Sequence, residues 1–516
     1  DSVARMFDEL VSEVRSAGGA AAVGGWARVE AAACARRLQA MVAVLDACQG
    51  ADGSAEREQW YLDNWGAVCA EIGAAEQITS AAASNQLLVA TMLRDRLPRV
   101  AAVFAEGFGS YRLMSTIVWR TALIKDPDAL GTVDLALASA LRQWEPMSEV
   151  KTVAAIDHWV GAVDPHALRR SQSQARSRCV EITIDDAEGL ATLWGSLFAH
   201  DATALDGRLD AIAATVCEAD PRTRDQRRAD ALGAVANGAQ GLSCLCGQKD
   251  CAAGAAEMPA PATVVYVIAN EDTLTEDTTV AAAQDAALDG EEPPHSSGKA
   301  LRDMTLAEAL QHPVPPGFTA TRPGVMIGGP VLPGPVLRRA ALHAALRRVF
   351  HPGDAPPQPR YRPSWRLADF VRCRDLTCRF PGCDEPATNC DVDHTIAYPC
   401  GPTQASNLKC LCRRHHLLKT FWGGAGGWRD RQLPDGTVVW LSPGGQTYTT
   451  RPGSRLLFPS LCTPTAPVDA TAAGRPAASL GLPMPRRVCT RTQDRRQRID
   501  DERRLNEEAS GHVLAM

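Results

Sequence analysis

Through the first 160 or so residues, apolar positions recur with the period of a helix. In 81–99, Val89, Met92, Leu93 and Leu97 fall at spacings of three and four. Arg94, Asp95 and Arg96 fill the other face, and Pro98 marks the end. Helix follows helix from Val100 to Leu141, with Gly107 and Gly109 as breaks. A polar, arginine-bearing stretch from Arg169 to Arg178 reads as an exposed loop. The period then changes: Val180, Ile182 and Ile184 alternate with Glu181 and Thr183, which predicts a half-buried strand over 179–184. Residues 190–235 return to helix. The mixed charges from Arg222 to Asp230 read there as a solvated helix face. A second strand is expected from Val264 to Ile268, and a short basic helix within 332–349 carries Arg338, Arg339, Arg347 and Arg348. The run His351-Pro352-Gly353-Asp354-Ala355-Pro356-Pro357 breaks the chain. Beyond it, Trp428 to Thr450 reads as a hairpin turning at Pro434-Asp435-Gly436.

These patterns predict a mainly α N-terminal body with a small α+β region and a compact C-terminal module. The expected divisions are a helical body at 1–250 and an α+β continuation at 251–350 with an acidic mobile insertion at 270–300. A module at 361–455 comes next, and 456–516 is expected to be a disordered tail. That tail is Pro/Ala/Thr-rich to Pro485, then carries eight arginines against four acids between 486 and 504. A length of 516 residues suits several domains rather than one core.

Charge narrows the function classes. With 54 Lys+Arg against 60 Asp+Glu, the net charge is −6. No global basic field draws this chain onto nucleic acid or an anionic membrane, so any nucleic-acid contact must use a local patch. No run of about eighteen uncharged apolar residues argues for a membrane span. The acidic start lacks an apolar signal core, which points to the cytoplasm. Of the 17 cysteines, seven lie between Cys373 and Cys412. Such a cluster in a large chain fits metal binding in a reducing compartment better than a disulfide framework. Cys244, Cys246 and Cys251 are also close, but C-x-C-x4-C lacks a fourth nearby ligand and the usual knuckle spacing, which argues against a metal there.

Two chemistries separate within the C-terminal cluster. Cys378 and Cys383 flank a Pro-Gly turn, and Cys412 and His415 lie three apart near a helix start. Two such pairs suit one tetrahedral Zn²⁺, with Cys373 as the rival to Cys378. Asp393, His394 and His416 suggest a second, harder site. Neighbouring helical residues point about 100° apart, so His415 can face zinc while His416 faces a cleft. Asp393 and His416 can then hold a divalent ion, and His394 can deprotonate a water. Arg374, Arg413, Arg414 and Lys419 are expected to supply local positive charge; 361–420 holds nine Lys/Arg and six Asp/Glu. Trp422, Trp428 and Trp440 are expected to cover the module's core.

The set Cys378-x4-Cys383, Asp393-His394, Asn407-Leu408 and Cys412-x2-His415-His416-x2-Lys419 resembles the HNH endonuclease motif. The resemblance implies a ββα-metal finger: a strand ending at Asp393-His394, a second over Leu408–Leu411, and a helix starting near Arg413. It implies His394 as general base, Asp393 and His416 as ligands of Mg²⁺ or Mn²⁺, and Asn407 as a brace of the inter-strand loop. The family's Gly-Gly-x-Thr appears here as Cys400-Gly401-Pro402-Thr403, an alteration that bears on activity. Leu97-Pro98-Arg99-Val100, Arg228-Ala229-Asp230-Ala231-Leu232, Gly329-Pro330-Val331-Leu332-Pro333, and Trp440 with Pro443, Gly445 and Tyr448 are similar to the actinobacterial 13E12-repeat proteins. In those, a helical DUF222 region precedes an HNH module; the likeness covers about residues 5–455. The likeness implies a metal-dependent endonuclease acting on double-stranded DNA. The alternatives are a zinc-stabilised nucleic-acid-binding protein without cleavage, or a structural or regulatory protein acting through its helical body.

Overall fold

A computed structural model describes residues 11–12, 14–15, 18–144, 147–168, 179–184, 190–197, 199–251, 253, 265–275, 282, 285, 288–290, 303–310, 322–342, 344–424, 426–468 and 483–513. The loop expected at Arg169–Arg178 and most of the insertion expected at 270–300 lie outside the described residues.

The helical period of the first third becomes α1 (Gly19–Ala51), α2 (Asn64–Glu76), α3 (Ser80–Arg96), α4 (Pro98–Ala105), α5 (Tyr111–Arg120), α6 (Pro127–Leu141) and α7 (Glu149–Val163). Asp63, Thr79, Ser110, Asp126 and Ser148 each precede one of these helices and accept a backbone N–H from its first turn. Helix α4 has no side-chain cap of its own. Asp134 of α6, which is 1% exposed, accepts the N–H groups of Arg99 and Val100 at 3.0 Å instead. Orphan donors of one helix are thus satisfied by a carboxylate from another. Leu38, Met41, Leu87, Leu93, Phe104, Ile117, Leu137, Ile156 and Val160 meet in one core, interleaved with Ala31, Ala35, Ala83 and Ala90. Small residues there let helix axes approach closely, as the alanine-rich composition suggests.

Strand β1 (Cys179–Ile184) forms where the alternation predicts it and pairs antiparallel with β2 (Ala191–Ser196), but it is not half-buried as expected: Val180 and Ile182 are exposed. The second strand corrects the helical reading of 190–235. Gly195 weakens a helix there, and a Cβ on it would sit 2.5 Å from the Cys179 carbonyl. Leu193 and Trp194 stay exposed, so backbone pairing rather than burial holds this hairpin. Helices α8 (Ala199–Ala213) and α9 (Arg224–Ala236) come after it. They enclose a small core of their own: Ile212, Ala231, Ala234, Ala239 and Leu242. The mixed charges around Arg222 are internally paired, Arg222 with Asp220 and Asp230, and Arg228 with Asp206 and Asp210.

A small antiparallel sheet in the order β3 (Val267–Ile268), β4 (Gly324–Met326), β5 (Val331–Leu332) leads to the basic helix α10 (Gly334–Ala341). Arg338 and Arg339 of that helix pair with Asp285 and Asp289. After the Pro-rich break come α11 (Trp365–Asp375), the hairpin β6 (Cys390–His394) and β7 (Leu408–Cys412), and α12 (Arg413–Phe421). A three-stranded sheet, β8 (Arg429–Gln432), β9 (Val438–Leu441) and β10 (Thr447–Thr450), adds one strand to the expected hairpin. Phe370, Val371, Phe380, Leu408, Leu411, Trp428 and Trp440 form the module's core.

Body and module share helix α2. Its Val68, Cys69 and Ile72 enter the body core, while Ala67, Ala70 and Ala74 enter the module core. Trp422 donates its indole N–H to the Leu62 carbonyl at 3.1 Å. The chain's end also departs from expectation. Within the tail expected to be disordered, helix α13 (Arg491–Val513) lies along the body. Arg491 pairs with Asp63 at 2.7 Å, Arg503 with Asp164 at 2.7 Å, and the Asn506 amide donates to the carbonyls of His166 and Leu168 at 2.9 Å. Composition shows the tail's charge but not the acids waiting for it elsewhere in the chain.

Candidate metal centre

The finger is built in the predicted order. Strands β6 and β7 run antiparallel with Cys390 opposite Cys412, Asp393 opposite Lys409 and His394 opposite Leu408. Helix α12 starts directly after Cys412, which serves as its N-cap residue. The turn Pro381-Gly382 carries Cys383 back toward Cys378; Gly382 sits at φ +72°, and a Cβ there would press on the Ile78 carbonyl at 2.5 Å.

The ligand atoms of Cys378, Cys383, Cys412 and His415 all lie within 4.8 Å of one another. His415 Nδ1 is 3.2 Å from Cys412 Sγ and 3.5 Å from Cys378 Sγ, and the Cys383 and Cys412 sulfurs are 4.0 Å apart. Bonds of about 2.0–2.3 Å to a shared tetrahedral ion produce edges of this size. The donor set of three thiols and one imidazole suits Zn²⁺, and the cluster can hold a divalent metal. Its surroundings are closed. Phe380 stacks on His415 at 4.0 Å, the Cys412 N–H points at Cys378 Sγ at 3.3 Å, and Ser80 of the helical body approaches His415 Nε2 at 3.5 Å. Burial pushes the Cys378 thiol well up, while hydrogen bonds from Cys378 and Cys383 pull the Cys412 thiol well down. Cys373, the rival, stays outside the group; its carbonyl accepts from Ser454 instead. Cys410 packs inward from β7 and is fully buried.

One residue further along α12, His416 turns away from this cluster, as the 100° step requires. Its Nδ1 lies 2.8 Å from Asp391 Oδ2, and its Nε2 lies 3.5 Å from Asp393 Oδ1. His416 thus sits between two carboxylates, Nδ1 toward Asp391 and Nε2 toward Asp393. Asp393 Oδ2 is taken by Lys419 Nζ at 2.6 Å and Lys409 Nζ at 3.2 Å. Burial would raise the Asp393 carboxyl, but Lys419, Lys409 and His416 hold it well below the usual carboxylate range.

His394 is 5% exposed and lies between Thr403 and Tyr361. Its Nε2 is 2.8 Å from Thr403 Oγ1, and that hydroxyl donates to the Arg360 carbonyl at 2.6 Å. The hydroxyl therefore accepts from Nε2–H, which leaves Nδ1 as the basic nitrogen. Nδ1 has no hydrogen-bond partner among the described residues. Burial lowers the imidazole's pKa, with Lys419 and Lys409 acting in the same sense against the pull of Asp393. Asn407 braces the loop: Oδ1 accepts from Ile396 N at 2.8 Å, and Nδ2 donates to the carbonyls of Ile396 at 3.0 Å and Pro402 at 2.8 Å. The altered loop keeps what these contacts need. Thr403 is fully buried, a Cβ on Gly401 would come within 2.1 Å of the Ile396 carbonyl, and Cys400 is exposed.

The expected positive field is corrected in part. Arg374 is 1% exposed, pairs with Asp375 and donates to the carbonyls of Ala405 and Leu408, so it braces the fold. Arg414 donates to the Gly66 carbonyl. Arg413 keeps an exposed side chain. Two residues without an assigned role turn out to matter: Lys409, fully buried between Asp393 and Asp430, and Asp391, which orients His416. Strand alternation held the signal for Lys409, because Leu408 and Cys410 point the other way.

Residues 26–375 match the model of a domain of unknown function, DUF222. The chain belongs to the DUF222 family. The matched segment ends at Asp375, before the finger's first cluster residue, Cys378. This DUF222 chain is 48% identical over 521 residues to "Uncharacterized protein Rv2100" of Mycobacterium tuberculosis (strain ATCC 25618 / H37Rv), covering 98% of this chain and 92% of that protein. It is 46% identical over 513 residues to "Uncharacterized protein Rv3776" of the same strain, covering 96% and 93%. No solved structure matches this DUF222 protein.

Proposed function

We propose that this protein is a metal-dependent HNH-type endonuclease that hydrolyses phosphodiester bonds in double-stranded DNA. The observation that carries the reading is the fixed imidazole of His394. Thr403 engages Nε2 and leaves Nδ1 as base, on the same hairpin that presents Asp393 toward His416 Nε2. Asp393 Oδ1 and His416 Nε2 would hold Mg²⁺ or Mn²⁺. When bound, that ion supplies charge stabilisation at the phosphate and the leaving oxygen. His394 takes the proton of the attacking water, and Asn407 keeps the loop carrying Thr403 in register. The closed Cys378/Cys383/Cys412/His415 cluster would hold Zn²⁺ and fix the start of α12, from which His416 projects.

Substrate approach is supported by a local patch rather than by net charge. Tyr361, stacked on His394 at 5.4 Å, is exposed, as is Trp365. The guanidinium groups of Arg347 and Arg366 lie over Trp365. Arg347 also pairs with Asp369 at 2.7 Å, and any phosphate contacts made by this patch would weaken as salt rises. One observation favours a second reading, a zinc-stabilised nucleic-acid-binding module without cleavage: Lys409 and Lys419 already neutralise Asp393. The two readings part on one assay, the nicking of supercoiled plasmid by the full chain with Mg²⁺, Mn²⁺ or chelator. Metal-dependent nicking supports the nuclease; salt-sensitive binding with no nicking in either metal supports the binding module.

A further inference from the structure

A second thiol cluster stands inside the DUF222 segment, and it does not depend on the nuclease reading. The sulfurs of Cys217, Cys244, Cys246 and Cys251 all lie within 4.8 Å of one another. The sequence shows three of these close together, and the lack of a fourth ligand nearby argues against a metal. The fourth comes from the loop after α8. The fold removes the objection by turning α9 back beside α8, so that the loops after the two helices meet.

The site is built rather than accidental. Cys217 Sγ is 3.4 Å from Cys244 Sγ, too far for a disulfide bond and close to a tetrahedron's edge. Gly247, at φ +70°, turns the chain so that Cys251 returns to the group. Both loops are pinned by one buried pair. Asp220 and Arg222 bind each other at 2.8 Å, Asp220 accepts from Leu245 N at 3.0 Å, and Arg222 donates to the Ser243 carbonyl at 2.8 Å.

The surrounding unit also needs such a staple. Its buried core is Ile212, Leu242 and three alanines, with only Leu209, Val216 and Val235 half-buried against it, apart from the main core of the body. So little apolar area is insufficient to order two helices and their loops.

We propose that Cys217, Cys244, Cys246 and Cys251 form a structural, tetrahedral zinc site that ties the α8 and α9 unit together. Four thiolates select Zn²⁺ among the common divalent ions, and the all-sulfur donor set fits a closed, non-catalytic ion.

The test is zinc content and zinc X-ray absorption on the full chain, purified under reducing conditions without a metal-affinity step. With the finger occupied as well, the expected result is two zinc ions per chain, with seven sulfurs and one nitrogen between them. A single ion with three sulfurs and one nitrogen overturns the proposal. So does finding these four cysteines as two disulfides in the unreduced chain. A single all-sulfur ion supports this site and counts against the finger. Cys217→Ser with Cys251→Ser is expected to remove one ion and leave the mixed-ligand one, whereas Cys412→Ser leaves an all-sulfur ion. The parent chain's sulfur average decides the matter even where a variant fails to fold.

Discussion

The two thiol clusters are alike in ligand distance and unlike in surroundings. Around Cys378, Cys383, Cys412 and His415 the packing is aromatic, with Phe380 on the imidazole and Trp428 and Trp440 behind it. Around Cys217, Cys244, Cys246 and Cys251 it is alanine and one buried ion pair. The finger cluster includes an imidazole whose neighbour in sequence faces Asp391 and Asp393. The body cluster has only thiols, and the carboxylate beside it, Asp220, is consumed by Arg222. The same ligand geometry therefore serves two ends. On the proposed reading, one cluster positions the start of the helix that carries His416, and the other supplements a small core.

The contrast can be broken most forcefully at Cys412. Structural zinc contributes about 10–16 kcal/mol in small finger peptides. Cys412→Ser should therefore unfold the finger, exposing Trp428 and Trp440 and abolishing DNA binding, as read by tryptophan fluorescence and a binding titration. Cys217→Ser should act on the other region only. Amide protection across 199–251 should collapse in hydrogen exchange while β6, β7 and α12 keep theirs; loss of protection in both regions would show that the clusters are not independent.

A smaller effect is expected at Thr403, where Thr403→Val leaves His394 Nε2 and the Arg360 carbonyl without their shared partner. Nicking should fall about tenfold, with zinc content unchanged, and Thr403→Ser should restore it. The smallest effect belongs to Ser80→Ala, which removes the body's contact with His415 Nε2. Zinc affinity of the finger should drop by roughly tenfold or less, measured by chelator competition, with no change at the body cluster.

Legibility tracks locality. The finger is readable because its ligands come in two short-spaced pairs, and the strands and helix between them fall where Asp393-His394, Leu408–Leu411 and Arg413 mark them. The helical body is readable from its period, and the core positions Val89, Met92 and Leu93 are buried as the spacing requires. Features that depend on distant partners are not readable. Cys217 stands far upstream of Cys244 and joins it only after α9 folds back. Arg374 looks like part of a local positive field until Asp375 and two carbonyls enclose it. The α13 arginines look like a solvated tail until Asp63 and Asp164 of the body receive them. Strand β2 is hidden because its pairing with β1 outweighs a helical reading that composition alone supports.

The role to test is that of His394 as the base on a finger whose folding depends on other residues. It is tested most directly by measuring plasmid nicking and DNA affinity side by side for the parent and His394→Ala, in Mg²⁺. The parent should nick and the variant should nick roughly 10²–10⁴-fold more slowly, with DNA affinity and zinc content unchanged. A variant that cuts as fast as the parent, or a parent that binds DNA and never cuts in Mg²⁺ or Mn²⁺, would contradict it.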